Sequence, residues 1–205
     1  MLQIPFSLFA EFVLSPSHER FGVVKKSRTR GEYDPRKDFY LLLKREMTRC
    51  VQRGEPMMIE RVLQRTGHAA KHDNYPELAA NFEHWRSQKK RTFFTPPEAL
   101  WRSPSLAIRV QPDVAFDCQG QRWAGFMHCR KDLEVKKAAS SFLLHVPAEA
   151  FDARGLLGYR FCLIDLRAPK TWTLGNPEPA ISKLLQREAE AFASMIQELD
   201  TNEAA

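Results

Sequence analysis

The amino-acid sequence predicts an α+β protein in which a central mixed β-sheet is packed by helices and preceded by an α-helical N-terminal region. Two observations lead to this fold class. Between about residues 34 and 91 the apolar side chains recur at helical spacing, and beyond about residue 105 short strand-like runs alternate with helical ones. We expect a helical N-terminal region over residues 1–94 and a sheet-containing core over residues 95–205, or one continuous domain.

The N-terminal region begins with two apolar runs, at residues 4–14 and 20–25, which we interpret as strands or an extended arm because Ser-Pro-Ser separates them. A basic loop is expected to follow at residues 25–31. Helices are predicted from the Asp34-Pro35 cap signal to Gly54, from Pro56 to Thr66, and from about Pro76 to residue 91.

Prolines at positions 96, 97 and 104 predict a linker before the sheet. Residues 107–116 are expected to form one extended stretch and residues 122–129 the next. A helix is predicted over residues 132–144, ended by Pro147. Two further strands, at residues 159–166 and 171–174, are expected to pair in antiparallel fashion before an amphipathic C-terminal helix over residues 179–199.

Composition bounds the function classes. The 205 residues carry a formal net charge of +6, with 43% hydrophobic and 27% charged residues. Basic residues outnumber acidic ones up to residue 176 and the order reverses after it, so the body of the chain suits a polyanionic partner, DNA or RNA. The four widely spaced cysteines predict no disulfide framework and a reducing, cytoplasmic setting. The apolar N-terminal run lacks a basic segment before it, so we interpret it as structural and expect no membrane partner.

The most informative stretch runs from Pro112 to Lys131. It predicts two short strands around a Gln-Gly turn, with Asp113 near the start of the first and His128 at the end of the second. Because alternate residues of a strand share a face, His128 and Arg130 would both point toward Asp113 across the ladder.

This pattern resembles the restriction-endonuclease-like, or PD-(D/E)XK, superfamily of nucleases over about residues 100–200. The resemblance rests on Pro112-Asp113 and on His128-Cys129-Arg130 in the place of the acidic-X-lysine triplet. It implies Asp113 as a ligand of Mg²⁺ or Mn²⁺, Arg130 and Lys131 at the phosphate, and His128 where the second carboxylate belongs. In this family an acidic residue from a preceding helix often completes the site; Glu46 and Glu83 are the candidates here.

The histidine makes the implied metal site degenerate, because Mg²⁺ prefers carboxylate oxygens. The resemblance therefore favours a nucleic-acid-acting protein with an altered nuclease-like site, and it leaves both cleavage and simple binding open. Two basic segments are predicted to contact nucleic acid. They comprise Lys25, Lys26, Arg28 and Arg30, and Arg86, Lys89, Lys90 and Arg91. For the second segment, solvated charges at a helix C-terminus are the competing interpretation.

A different class of function stays open: a non-enzymatic subunit or adaptor of a larger complex. Its docking surfaces would be the acidic C-terminal helix and the aromatic-rich segment from Phe93 to Trp101. Two other patterns are assigned to structure. The His68 and His72 pair is interpreted as a solvated helix end, and Cys129 is disfavoured as a nucleophile because strand alternation turns it away from His128.

Overall fold

The computed structural model describes residues 1–29, 39–175 and 179–203. Seven helices and eight strands lie in these ranges. The helices are α1 (Phe6–Leu14), α2 (Ser17–Thr29), α3 (Leu41–Arg53), α4 (Ile59–Gln64), α5 (Ala69–Ser87), α6 (Lys137–Ala153) and α7 (Pro179–Glu203). The strands are β1 (Leu2–Pro5), β2 (Thr92–Phe94), β3 (Ala99–Arg102), β4 (Leu106–Val110), β5 (Val114–Cys118), β6 (Gln121–His128), β7 (Tyr159–Asp165) and β8 (Lys170–Thr173). No helix in the described ranges is long and apolar enough to cross a membrane.

The strands form two mixed sheets. A five-stranded sheet has the order β2-β5-β6-β7-β8, in which β6 and β7 are parallel and the other neighbours are antiparallel. A three-stranded sheet has the order β1-β4-β3, with β1 parallel to β4. The predicted α+β class, with N-terminal helices preceding a mixed sheet, is confirmed. The predicted single stretch over residues 107–116 is instead two strands, β4 and β5, one in each sheet.

The five-stranded sheet separates two apolar clusters. On one face, Phe126 of β6 packs with residues of α1, α6 and α7. On the other face, Met127 packs with residues of α3 and α5. Strand β7 likewise sends Leu163 to the first cluster and Ile164 to the second. Its long apolar run follows from this arrangement, because a strand covered on both faces has no polar face.

The N-terminal prediction of strands at residues 4–14 and 20–25 is wrong except for β1. Phe6, Phe9 and Phe12 recur every third residue along α1 and are buried against the sheet and α7. The prediction of a loop at residues 25–31 is wrong for residues 25–29, because α2 continues to Thr29. Helix α2 packs against α7, where Arg20 pairs with Glu188 at 2.8 Å. Residues 30 and 31 of the predicted loop lie outside the described residues.

Helix α3 was correctly predicted to end at Gly54, whose φ of 68° suits glycine. Its predicted cap, Asp34-Pro35, lies outside the described residues. The other two proline-based predictions are wrong. Pro76 lies inside α5, which begins at Ala69, and Pro147 lies inside α6, which begins at Lys137. Burial along both helices compensates for the hydrogen bond that each proline removes.

The predicted linker contains a strand, because β3 occupies residues 99–102 between Pro97 and Pro104. The N-terminal and C-terminal regions also share packing. Strand β1 pairs with β4, and α1 contributes to the cluster under α6 and α7. The division of the chain near residue 94 stays a prediction.

Candidate functional site

Asp113 lies just before β5, where its side chain bridges the sheet and α3. Its Oδ2 accepts hydrogen bonds from the Lys44 ammonium at 3.1 Å and from the Met127 N–H at 2.6 Å. Its backbone carbonyl accepts a bond from the Thr48 hydroxyl at 2.9 Å. The Asp113 and Lys44 side chains are only 21% and 26% exposed. Oδ2 is therefore occupied by two protein donors.

His128, the last residue of β6, has a different partner. Its Nε2 lies 2.8 Å from the Leu133 carbonyl oxygen, so this nitrogen carries the proton. Burial lowers the pKa of His128, and the nearby charge of Asp165 opposes that shift only in part. His128 therefore favours its neutral form. It shares a strand face with Phe126, which packs against α1.

Arg130 and Lys131 follow β6 and leave the ladder. The Arg130 guanidinium binds both carboxylate oxygens of Asp132 and contacts Glu11 of α1 at 2.6 Å. The carboxylates of Asp132 and Glu11 raise the pKa of Arg130, and the hydrogen bond from Arg130 lowers the pKa of Asp132. Lys131 is exposed in the adjoining bend. Asp113 thus contacts α3 while Arg130 contacts α1, and each carries its own ion pair.

The donors around Asp113 do not fit Mg²⁺ or Mn²⁺. Such ions take several oxygen ligands, yet Lys44 and Met127 occupy the Asp113 oxygen nearest the sheet. The candidate helix carboxylates bind other groups. Glu46 pairs with Arg49, and Glu83 accepts bonds from the Met57 N–H and from Arg86. No group of three or more histidine, cysteine or acidic side chains is arranged for a metal in the described ranges.

The basic segment at the end of α5 divides into structural and exposed residues. Arg91 bonds the carbonyl oxygens of Trp85 and Arg86, and its guanidinium lies 4.2 Å from the Trp85 ring centroid. Burial lowers the pKa of Arg91. Arg86 binds the Glu55 carbonyl and the Glu83 carboxylate. Both arginines therefore hold the C-terminal end of α5 in place, whereas Lys89 and Lys90 are exposed.

The first basic segment is helical rather than looped. Lys25, Lys26 and Arg28 belong to α2, and Lys25 is exposed. Arg30 lies outside the described residues.

A concave basic surface that the sequence reasoning missed lies between α3 and α4. This arginine cleft, of about 520 Å³, is lined by Arg45, Arg49, Arg61 and Arg65 together with Glu46, Leu42, Val62 and Gln64. Its lining carries four positive charges and one negative charge, or 4 − 1 = +3. Each arginine pair is four residues apart, and this spacing places both members on one helix face. The i, i+4 spacing was the available signal.

Glu46 and Arg49 form the paired part of the cleft. Arg49 binds both oxygens of Glu46, at 2.9 and 2.5 Å, and its remaining amino group contacts Glu55 at 2.7 Å. The hydrogen bond from Arg49, with help from Arg61 and Arg65, lowers the pKa of Glu46. Glu46 is therefore ionised and neutralises Arg49.

The other three cleft arginines have no such partner. Arg45, Arg61 and Arg65 are exposed, and no carboxylate in the described part of the chain lies within 4.0 Å of them. Their charge is therefore uncompensated at short range.

A larger cavity, of about 740 Å³, lies between α6 and β3 and is closer to electrical balance. Its arginines are Arg102, Arg109 and Arg154, and its acidic residues are Glu98 and Glu149, which give 3 − 2 = +1. The arginine cleft is therefore the more positive of these two concave surfaces.

The aromatic segment predicted as a docking surface is packed. Trp101 is 4% exposed and donates its indole N–H to Glu149 at 2.7 Å. Phe93 packs on Trp85 and Phe116. Trp101 therefore serves the fold, whereas Phe93 and Phe94 are only partly buried.

Several other polar residues have structural surroundings. Cys129 and Cys162 are buried, and burial raises the pKa of each thiol to about 12, which suits structural rather than nucleophilic cysteines. Asp165 accepts the Arg167 N–H and so caps a turn. His68 occupies the N-cap position of α5 without a side-chain capping bond, and both His68 and His72 are exposed, as expected of a solvated helix end.

No protein-family model matches this chain, and no curated protein matches it significantly. The resemblance to the restriction-endonuclease-like superfamily stays a prediction. Function must therefore be argued from the surfaces described above.

Proposed function

We propose that this protein binds the phosphate backbone of nucleic acid and does not hydrolyse it. The observation that supports the proposal most directly is the arginine cleft between α3 and α4, with its lining charge of +3. Arginine forks match phosphate oxygens in geometry and stay charged at any physiological pH. Phosphate contacts of this kind supply most of the affinity in sequence-independent nucleic-acid binding.

The chemistry around Asp113 supports the non-hydrolytic part of the proposal. A metal-dependent nuclease needs carboxylate oxygens open to a cation that activates water. Here Lys44 supplies a positive charge at 3.1 Å from Asp113 Oδ2, in place of such a cation. His128, which the resemblance places at the metal site, contacts the Leu133 carbonyl instead. Asp113 is thus better suited to holding α3 against the sheet than to catalysis.

We also propose a reducing, cytoplasmic setting, which fits the four cysteines because all of them are free thiols. We do not propose a protein-docking role, because Trp101 of the aromatic segment is buried and Phe93 packs against Trp85. The acidic C-terminal helix, the other expected docking surface, packs against α2, where Glu188 pairs with Arg20.

Binding and cleavage are measured together to test the proposal. Fluorescently labelled DNA and RNA are titrated with the protein at low salt, with and without Mg²⁺ or Mn²⁺, and the labelled strands are then sized on a denaturing gel. We expect saturable binding that weakens steeply as salt rises, and intact strands. No binding to any of these ligands at low salt would overturn the proposal. Metal-dependent cleavage that Asp113→Asn abolishes would overturn its non-hydrolytic part.

A further inference from the structure

We propose that the arginine cleft takes single-stranded nucleic acid in preference to duplex. This inference rests on the proposed function and names the ligand class of the same site. Three features support it: the inward orientation of the arginines on two facing walls, the small volume of the cleft, and the apolar residues between them.

The arginines line a concave surface. Arg45 lies on α3, while Arg61 and Arg65 lie on α4 and its C-terminal end, so charge faces the cleft from both walls. Reading the bases of a duplex usually needs the opposite shape, in which a protruding helix enters a major groove about 12 Å wide. A single strand has no such requirement, because its backbone can follow a positively charged groove.

The size of the cleft favours the same ligand. A volume of about 520 Å³ is that of a small-ligand pocket, so it holds a few nucleotide units at most and excludes the width of a duplex. Leu42 and Val62 lie among the arginines. Val62 is buried, whereas the partly exposed Leu42 offers apolar surface on which a base of a single strand can rest while its phosphate meets the guanidinium groups. In a duplex the base is stacked and paired, and it cannot do so.

The geometry also fixes the expected strength of the salt effect. Three arginines are uncompensated at short range. For single strands, the slope of log binding constant against log salt concentration is about −0.7 per neutralised phosphate, so the cleft contributes a slope of about −2. Between about 50 and 200 mM salt this slope corresponds to an affinity loss of roughly 20-fold.

The test compares a labelled oligothymidine with a hairpin duplex of similar charge, by fluorescence anisotropy at both salt concentrations. The cleft variant replaces Arg45, Arg61 and Arg65 with glutamine. The matched control replaces Arg102, Arg109 and Arg154 with glutamine, which removes equal charge from exposed arginines of the larger cavity. Circular dichroism and the thermal midpoint of each variant establish that it folds.

We expect the wild-type protein to bind the oligothymidine at least about 10-fold more tightly than the duplex. The cleft variant should lose about 10-fold or more of this affinity and most of the salt slope, while the control changes it by less than about threefold. Tripolyphosphate, added as a competitor, should displace the strand only weakly because it offers no base.

Each of the other outcomes contradicts the inference, the proposed function or both. Equal or tighter binding of duplex overturns the inference and leaves the proposed function standing. Equal losses in the cleft and control variants place the binding elsewhere and also overturn the inference alone. Efficient displacement by tripolyphosphate shows a site for phosphate chains rather than for single strands. Failure to bind either nucleic acid overturns both the inference and the proposed function.

Discussion

The contacts of Asp113 predict that this residue stabilises the fold, and Asp113→Ala measures by how much. The substitution removes the acceptor of the Met127 N–H and the carboxylate that Lys44 contacts. A hydrogen bond to a charged acceptor contributes about 1.5–3 kcal/mol. A partly exposed ion pair adds about 0.2–1 kcal/mol. We therefore expect the free energy of unfolding to fall by about 2–4 kcal/mol.

The assay is thermal or urea unfolding followed by circular dichroism. For a chain of 205 residues, this loss corresponds to a fall in the melting temperature of roughly 4–16 °C. Asp117→Ala is the matched control, because Asp117 lies on β5 and accepts only the Gly120 N–H in an exposed turn. Its cost should stay near about 0.5 kcal/mol. Equal melting temperatures for the two variants would refute the structural role of Asp113 and leave its carboxylate open to a ligand.

Three further predictions concern the sheet, a buried histidine and the thiols. Gly125→Ala should cost about 1–3 kcal/mol in urea unfolding, since a Cβ there would lie 2.9 Å from an Ile164 methyl and 3.0 Å from a Val114 methyl; an unchanged midpoint would show that both side chains yield freely. Burial lowers the folded-state pKa of His128 below its unfolded value of about 6.5. Its contribution to stability is therefore present above the unfolded pKa and is lost as pH falls through the lower folded-state pKa. His128→Gln should flatten the acid side of the curve of stability against pH, and an unaltered curve would contradict this. A thiol-reactive dye should label only the half-exposed Cys118 in the native protein. Burial raises the pKa of the Cys50 thiol to about 11 and the pKa values of the Cys129 and Cys162 thiols to about 12. Rapid labelling of a second thiol would contradict this burial.

The sheet was largely predictable from the sequence because a strand buried on both faces leaves a local signature. The run from Tyr159 to Leu166 indicates such a strand without reference to any other part of the chain. The hairpin of β5 and β6 was equally visible, since alternation and a Gln-Gly turn are local features. The helix end signalled by Gly54 was also correct.

Errors arose where tertiary contacts outweigh local signals. Proline was taken to start one helix and to end another, yet Pro76 and Pro147 both lie inside helices whose burial outweighs the lost hydrogen bond. The N-terminal aromatics were interpreted as a strand, because the three-residue spacing of Phe6, Phe9 and Phe12 acquires its meaning only from the sheet and helices that bury them.

The candidate site shows the same limit. The sequence placed Asp113 before a strand and His128 at the end of the next, and both positions are correct. It did not indicate that Lys44, 69 residues earlier, would meet the Asp113 carboxylate, because long-range ion pairs leave no periodic trace. Nor did it distinguish Arg91, which is stacked on Trp85, from the exposed lysines beside it.

The sequence by itself determined the fold class and the positive charge of the chain body, because composition and periodicity are properties of short segments. Only the tertiary structure decided which charges remain available to a ligand. Arg91, Arg130 and Asp113 are held by hydrogen bonds or ion pairs within the protein. By contrast, α3 and α4 lie on either side of one cleft and bring uncompensated arginines together there. A charge can bind a partner only if the fold leaves it unneutralised and exposed, and this depends on residues that are distant in the chain.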